Sequence, residues 1–305
     1  MARSDVRLLP GVEVLPGYVL VSWLGSGGFG EVWHAVDPHD SPCALKFIDL
    51  SRERFAARES RSLDFMKSLR HPHVLSIRDV FCIEHFLVVC MELGQGTLAG
   101  RLREYQDQGL RGIPVGELID SMGQAAEGID FLNAPLHSID GTPGVRIIHQ
   151  DVKPHNLLFV GGVVKVADFG LARVIEQSLA EKSTGSLTPA YAPPEFFRGE
   201  TAEQSDQYSL AVTYCMLRGS RLPFAGTYYQ LMAGHTTGTP DLTMLPETER
   251  PAVARALSKS RQERWANCVA FVEDLRQTLN AEQACAGQPD PGRTATTVDY
   301  TPGEG

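Results

Sequence analysis

The chain has 305 residues, 43% of them hydrophobic, and sets 28 Lys and Arg against 37 Asp and Glu for a net charge of −9. That apolar content can bury a sizeable core, whereas the acidic balance leaves no basic stripe to replace phosphate counterions and excludes a nucleic-acid partner. No apolar run approaches the roughly 18 residues of a membrane span, and residues 1–10 carry charges throughout, unlike a secretory leader.

Residues 18–24 and 32–36 are apolar, β-branched and aromatic stretches, and between them lies Gly25-Ser-Gly-Gly-Phe-Gly-Glu-Val32. A G-x-G-x-x-G spacing also marks dinucleotide-binding βαβ units, where the glycines open a helix after a buried strand. Strand-like residues on both sides predict a hairpin instead. A hairpin carrying Gly25, Gly27, Gly28 and Gly30 can lower its backbone onto phosphates because no Cβ intervenes. No Gly-Lys-Ser/Thr follows, which excludes a Walker-type loop.

Fourteen residues beyond Val32, Cys43-Ala-Leu-Lys46 belongs to an alternating run that continues through Ile48. A strand lysine usually lies on a solvated face; here Ala44 and Lys46 share one face, so the strand can offer a small surface and a cation together. Such a lysine needs a carboxylate. Apolar positions 55, 56, 63, 66 and 69 fit a helix with one buried stripe, which makes Glu59 the expected partner and Glu53, near the helix start, the alternative. His71 and His73 flank a proline without a second cluster and read as structural. Phe86-Leu-Val-Val-Cys-Met91 predicts a buried strand, followed by Glu92-Leu93-Gly94.

The densest signal is His149-Gln-Asp-Val-Lys-Pro-His-Asn156, followed twelve residues after Asn156 by Asp168-Phe-Gly170. Moving a phosphoryl group asks for a carboxylate near the acceptor hydroxyl, a cation on the phosphates and oxygen ligands for magnesium. Asp151 suits the first role and Lys153 can reach the transferred phosphate. Asn156 offers a side-chain carbonyl to a hard cation, and Asp168 supplies a second metal ligand. The six cysteines form no C-x-x-C pair and four sit in or beside apolar stretches; they read as small core residues of a reducing compartment. From about Asn280 the composition turns to Gly, Pro, Thr and acid, which predicts a disordered tail.

In this order the motifs resemble those of the eukaryotic-type protein kinase superfamily, most of all its bacterial serine/threonine members. The likeness extends through Tyr191-Ala-Pro-Pro-Glu195, similar to the family's Ala-Pro-Glu segment with Pro193 in place of alanine, and Ser205-Asp-Gln-Tyr-Ser-Leu210, similar to the start of its buried αF helix. The resemblance implies an α+β, bilobal fold: a small antiparallel-sheet lobe with an αC helix over 18–91, a hinge over 92–97 and a larger, mainly helical lobe over 98–280. An N-terminal extension, 1–17, and the tail, 281–305, flank it. It further implies ATP and Mg2+, with Mn2+ as the alternative, held by Asn156 and Asp168. Asp151, Lys153, Asn156 and Asp168 would be catalytic, the glycine-rich hairpin and Lys46 would hold the phosphates, and Glu59 would hold Lys46. Val32, Ala44 and Leu158 would enclose adenine, Met91 would be the gatekeeper, and the backbone of Glu92 and of Leu93 or Gly94 would bind its edge. Asp206 would anchor the catalytic-loop backbone, Arg264 would pair with Glu195, and His149 would pack near Phe169. The interval from Glu59 to His71 is about one turn longer than the family usually shows, and a shift of one turn would put Ser62 in the glutamate's place.

Lys153 within Asp-x-Lys-Pro-x-Asn, and Thr188 in Thr-Pro-Ala-Tyr191, resemble serine/threonine rather than tyrosine kinases, so the implied substrates are Ser and Thr hydroxyls of proteins, with net charge mildly favouring basic or neutral ones. The stretch from His71 and the extra loop at 135–145 resemble bacterial members, among which homodimers and a downstream membrane anchor are common. The implied location is the cytoplasm, as a soluble enzyme or as the cytoplasmic portion of a longer anchored protein. Gln150 stands where many kinases have an arginine that grips a phosphorylated activation loop. Being uncharged, it predicts activity without phosphorylation of Ser178, Ser183, Thr184 or Ser186, and Leu187 replaces the glycine that usually precedes the Thr188 position. In the tail, Thr296 followed by Asp299 resembles ligands of phosphothreonine-binding forkhead-associated domains, with Thr294 and Thr297 as neighbouring acceptors; an unmodified linker is the plainer reading. A pseudokinase-type scaffold is the alternative function, against which stand the retained Lys46, Asp151 and Asp168. A small-molecule kinase is disfavoured by residues 188–195, which match the peptide-docking segment of protein kinases.

Overall fold

The structure, a computed structural model, describes residues 8–27, 30–49, 65–139, 141–169 and 188–286. Gly28, Glu53, Glu59, Ser62, the acceptors at 178–186, Leu187 and the tail threonines therefore lie outside the described residues.

Strands β1 (Glu13–Leu15), β2 (Tyr18–Gly27), β3 (Gly30–Val36), β4 (Pro42–Asp49), β5 (Ile77–Ile83) and β6 (Phe86–Met91) form one antiparallel sheet in the order β1-β2-β3-β4-β6-β5. The strict alternation of β4 is what divides its two faces. Cys43, Leu45 and Phe47 enter an outer apolar cluster with Leu20, Trp33 and Cys90, while Ala44 and Ile48 point into the main core. Lys46 sits between the latter two, only 3% exposed. β2 and β3 close through Gly27 opposite Gly30, so the glycines end a hairpin as expected. Gly30 has φ of +123°, and a Cβ there would stand 1.8 Å from the Phe47 carbonyl oxygen; no other residue fits.

The start of the sheet differs from the expectation. The sheet begins before residue 18, because β1 pairs with β2 and its apolar Val14 and Leu15 pack on the outer cluster. Of the helix expected over 55–69, residues 65–68 are helical, with Met66 buried, and residues 55–64 lie outside the described residues.

The larger lobe is mainly helical. After β7 (Gly96–Thr97), helix α1 (Leu98–Asp107) starts under a side-chain cap, the Thr97 hydroxyl accepting from Gly100 N at 3.1 Å. Helix α2 (Val115–Asn133) buries the stripe Leu118, Met122, Ala125, Ile129 and Leu132. The extra loop at 135–145 is a hairpin of β8 (His137–Ile139) and β9 (Thr142–Val145), tied back by His137 Nε2 to the Phe131 carbonyl at 2.9 Å. Strands β10 (Leu157–Val160) and β11 (Val163–Val166) pair with each other and β10 with β7, at the junction of the lobes.

Helix α3 (Ser205–Gly219) is buried on nearly every side, the pattern of a helix inside a core. Helices α4 (Tyr228–Thr236), α5 (Arg250–Ala256) and α6 (Cys268–Ala286) surround it. Asp130 on α2 accepts from Cys268 N and Val269 N at 2.9 Å each, satisfying the first amides of α6 from another element. α6 runs six residues past the boundary at 280, because helix formers continue there after the composition has begun to change. Cys43, Cys90, Cys215 and Cys268 are buried as expected, but Cys82 is exposed. Among the described residues no helix is long and apolar enough to cross a membrane.

Candidate active site

The segment from His149 to Asn156 is held by α3. Asp206, in the first turn of that helix and 0% exposed, accepts from His149 N and Gln150 N at 2.8 Å each, and Thr213 donates to the Val152 carbonyl at 3.3 Å. Burial raises the Asp206 carboxyl and the two amide donors work against it. His149 is buried, with Nε2 2.9 Å from the Ala167 carbonyl, and Ala167 N donates to the Asn156 carbonyl at 2.9 Å. The two chemical motifs are thus one hydrogen-bonded unit. Gln150 and Asp168 take φ of 69° and 62°, left-handed conformations that cost about 1 kcal/mol or more each for an L residue; the Asp206 anchor and the ion pair of Asp168 oppose that cost.

Asp151 is the hub. Lys153 Nζ donates to Asp151 Oδ2 at 2.7 Å and to the Thr188 hydroxyl at 2.8 Å, bridging the catalytic loop to the segment that begins at 188. Asn156, on the 3-10 turn Pro154–Asn156, spends its amide donors on the Asp151 carbonyl (2.8 Å) and Oδ2 (3.0 Å), which leaves its carbonyl oxygen for a cation. Lys46 Nζ reaches Asp168 Oδ1 at 2.7 Å, so the strand cation and the second carboxylate meet. Tyr191 lies close enough that burial, and then the Asp151 charge, push its hydroxyl up to about 12.

Val32, Ala44, Met91, Leu93 and Leu158 belong to a single apolar cluster. Ala44 pairs with Met91 and Val32 with Lys46 across adjacent strands, and a Cβ on Gly94 would stand 2.9 Å from the Leu158 side chain, so the hinge passes directly over that leucine. Glu92 adds something the sequence did not signal: its carboxylate accepts from Lys165 Nζ at 2.8 Å and from Ser76 N at 2.9 Å. Burial works to raise this carboxyl, but Lys165 and Ser76 hold it below the usual range. Gly25 and Gly27 lie on β2, and Gly30 begins β3.

The segment after Thr188 is fixed by a buried, bidentate pair. Arg264 Nη1 and Nη2 each meet a Glu195 oxygen at 2.8 Å, with both side chains almost wholly buried, and the Ser205 hydroxyl adds a third bond at 2.7 Å. Burial alone would raise Glu195; Arg264 and Ser205 hold it below the usual carboxylate range. Behind it lies a group that sequence reasoning missed, His235 of α4, whose Nδ1 is 2.9 Å from the Tyr208 hydroxyl. His71 and His73 are structural, stacking on Phe131 at 4.7 Å and bonding the Val164 carbonyl at 3.0 Å respectively.

The protein kinase domain family matches residues 18–288. The serine/threonine-protein kinase PknF of Mycobacterium tuberculosis is 30% identical over 300 residues, 92% of this chain and 60% of the relative. The SNF1-like protein kinase ssp2 of Schizosaccharomyces pombe is 29% identical over 238 residues, covering 73% and 38%. Human NUAK family SNF1-like kinase 2 is 28% identical over 223 residues, covering 70% and 33%. The chain therefore spans at most 60% of the length of these three relatives.

Proposed function

The chain belongs to the protein kinase domain family, and on that premise we propose that it transfers the γ-phosphoryl group of Mg-ATP to Ser and Thr hydroxyls of proteins. The observation that carries the proposal is the closed set around Asp151: Lys153 bridging it to Thr188, and Asn156 bonded to it through both backbone and side chain. In this arrangement Asp151 orients the acceptor hydroxyl and takes its proton, and Lys153 stabilises charge on the transferred group.

The donors fit the cofactor. Asn156 and Asp168 are hard oxygen ligands, too few for an all-protein metal cage and suited to Mg2+, which binds through one or two carboxylates together with substrate phosphates. Bound Mg-ATP supplies the phosphoryl group and neutralises its charge. Lys46 and the backbone of Gly25, Gly27, Gly28 and Gly30 would hold the phosphates, with Glu59 as the second partner of Lys46. Val32, Ala44, Met91 and Leu158 would enclose adenine, and the backbone of Glu92, Leu93 and Gly94 would bind its edge.

The test is transfer to a generic basic protein by the chain and by its Asp151→Asn variant, read by phosphosite mass spectrometry. We expect phosphoserine or phosphothreonine from the first, and a loss of at least about 100-fold from the second with nucleotide binding retained. Nucleotide binding without transfer by either protein would favour a scaffold instead.

A further inference from the structure

One charged pair joins the hinge to the larger lobe through side chains alone. Lys165 lies on β11, and its Nζ donates to both oxygens of Glu92, at 2.9 and 2.8 Å. The Lys165 side chain is 13% exposed and that of Glu92 24%, so water and salt weaken this pair less than one on the open surface. Ser76 N holds the same carboxylate at 2.9 Å. With its side chain engaged in this way, residue 92 offers a ligand its backbone.

The place of Lys165 in the chain gives the pair its consequence. Asp168 follows three residues later and takes Lys46 Nζ at 2.7 Å. The stretch 165–168 therefore holds the hinge at one end and the cation of β4 at the other. That stretch is itself fixed, because Val166 N donates to the His73 carbonyl and Ala167 N to the Asn156 carbonyl, at 2.9 Å each. Lys165 also stands opposite Leu158 in the β10–β11 ladder, the leucine over which the hinge passes. A nucleotide with its base on the hinge backbone and its phosphates at Lys46 and Asp168 must meet both ends of this stretch at once, across a span set by its own covalent structure. A tie that keeps the two ends at that span before the ligand arrives removes the cost of ordering the hinge on binding.

We propose that Lys165 is a positioning residue for the nucleotide, acting through Glu92 to hold the hinge backbone against the purine edge and so supporting the recognition of adenine. The inference rests on the kinase reading above, in which the backbone of residues 92–94 binds that edge.

The experiment is phosphoryl transfer to a generic basic protein by the full 305-residue chain, with kcat and KM measured for ATP and for purine riboside triphosphate, which lacks the 6-amino group that a hinge carbonyl can bind. Wild type is compared with Lys165→Met, Lys165→Arg and the double variant Glu92→Gln with Lys165→Met, which leaves no unpaired charge at the hinge. The wild type should favour ATP. Lys165→Met should raise the KM for ATP roughly tenfold, raise that for purine riboside triphosphate within about twofold and change kcat little, so that the preference for ATP shrinks. Lys165→Arg, which can donate to both carboxylate oxygens, should restore most of it. The double variant should show the loss of Lys165→Met and no more, because the two residues act as one unit. Equal shifts for the two nucleotides, or a KM for ATP that is unchanged or lowered in Lys165→Met and in the double variant, overturn the inference while leaving the kinase reading intact. Transfer by the wild type from neither nucleotide overturns both.

Discussion

His235 gives the fold a pH dependence whose size follows from its surroundings. The side chain is 0% exposed, with Phe224 at 4.6 Å and Phe197 at 5.9 Å between ring centres and the Tyr208 hydroxyl on Nδ1; Nε2 closes no hydrogen bond. Burial, followed by the Lys259 charge, lowers its pKa from 6.5 to about 4. A lowered folded-state value means that the unfolded chain binds the proton more tightly, so stability is full above the unfolded value and declines as pH falls towards the folded one. A gap of about 2.5 pKa units at 1.36 kcal/mol each bounds the effect near 3 kcal/mol, of which about 2 kcal/mol is lost between pH 7 and about pH 4.5. Carboxylates titrate over the same range, so the quantity to measure is the gap between the wild type and His235→Asn. Urea denaturation at both pH values, fitted with a common m-value, should show that gap shrinking by about 2 kcal/mol at the acid end. A gap that stays constant, or grows on acidification, would refute the assignment of a buried, neutral imidazole.

Three further outcomes are expected. Arg264→Ala leaves Glu195 buried without its cation and should cost about 3–5 kcal/mol, seen as a lower urea midpoint; a loss under about 1 kcal/mol would show that the pair is not buried as described. Gly30→Ala must push the hairpin off the Phe47 carbonyl, and should raise the KM for ATP by about tenfold or more with a smaller effect on stability. Because Gln150 carries no charge, replacing Ser178, Ser183, Thr184 and Ser186 together by alanine should leave turnover near wild type, and a large drop in a steady-state assay would remove the argument from that residue.

The grouping of the candidate site residues was legible in the sequence because it is written in short strings. Asp151, Lys153 and Asn156 lie within six residues, and the alternation around Lys46 places it on the Ala44 face. The pairing of Glu195 with Arg264 spans 69 residues and came from resemblance, not from any local pattern. What stayed hidden depends on distant partners alone. Lys165 lies 73 residues from Glu92, and nothing around either residue marks the contact. His235 sits in a weakly amphipathic helix whose neighbours are supplied by two other elements. The strand β1 and the last turns of α6 were missed for a simpler reason: each is short and lies where composition is already changing, so neighbouring packing decides the structure.

The passage from the small lobe to the larger one is at 92–96; a second passage of chain, the small-lobe loop 69–76, runs beside it, and the two are bonded to one another. Glu92 N donates to the Ser76 carbonyl at 3.2 Å while the Glu92 carboxylate takes Ser76 N. Each passage is also pinned to the larger lobe, the first through Gln95 N to the Phe159 carbonyl and the second through Leu75 N to the Val166 carbonyl, at 2.8 and 2.9 Å. The crossing is therefore braced on both sides, by Ser76 of the small lobe and by Phe159 of the larger one, and cannot shift without breaking bonds in both.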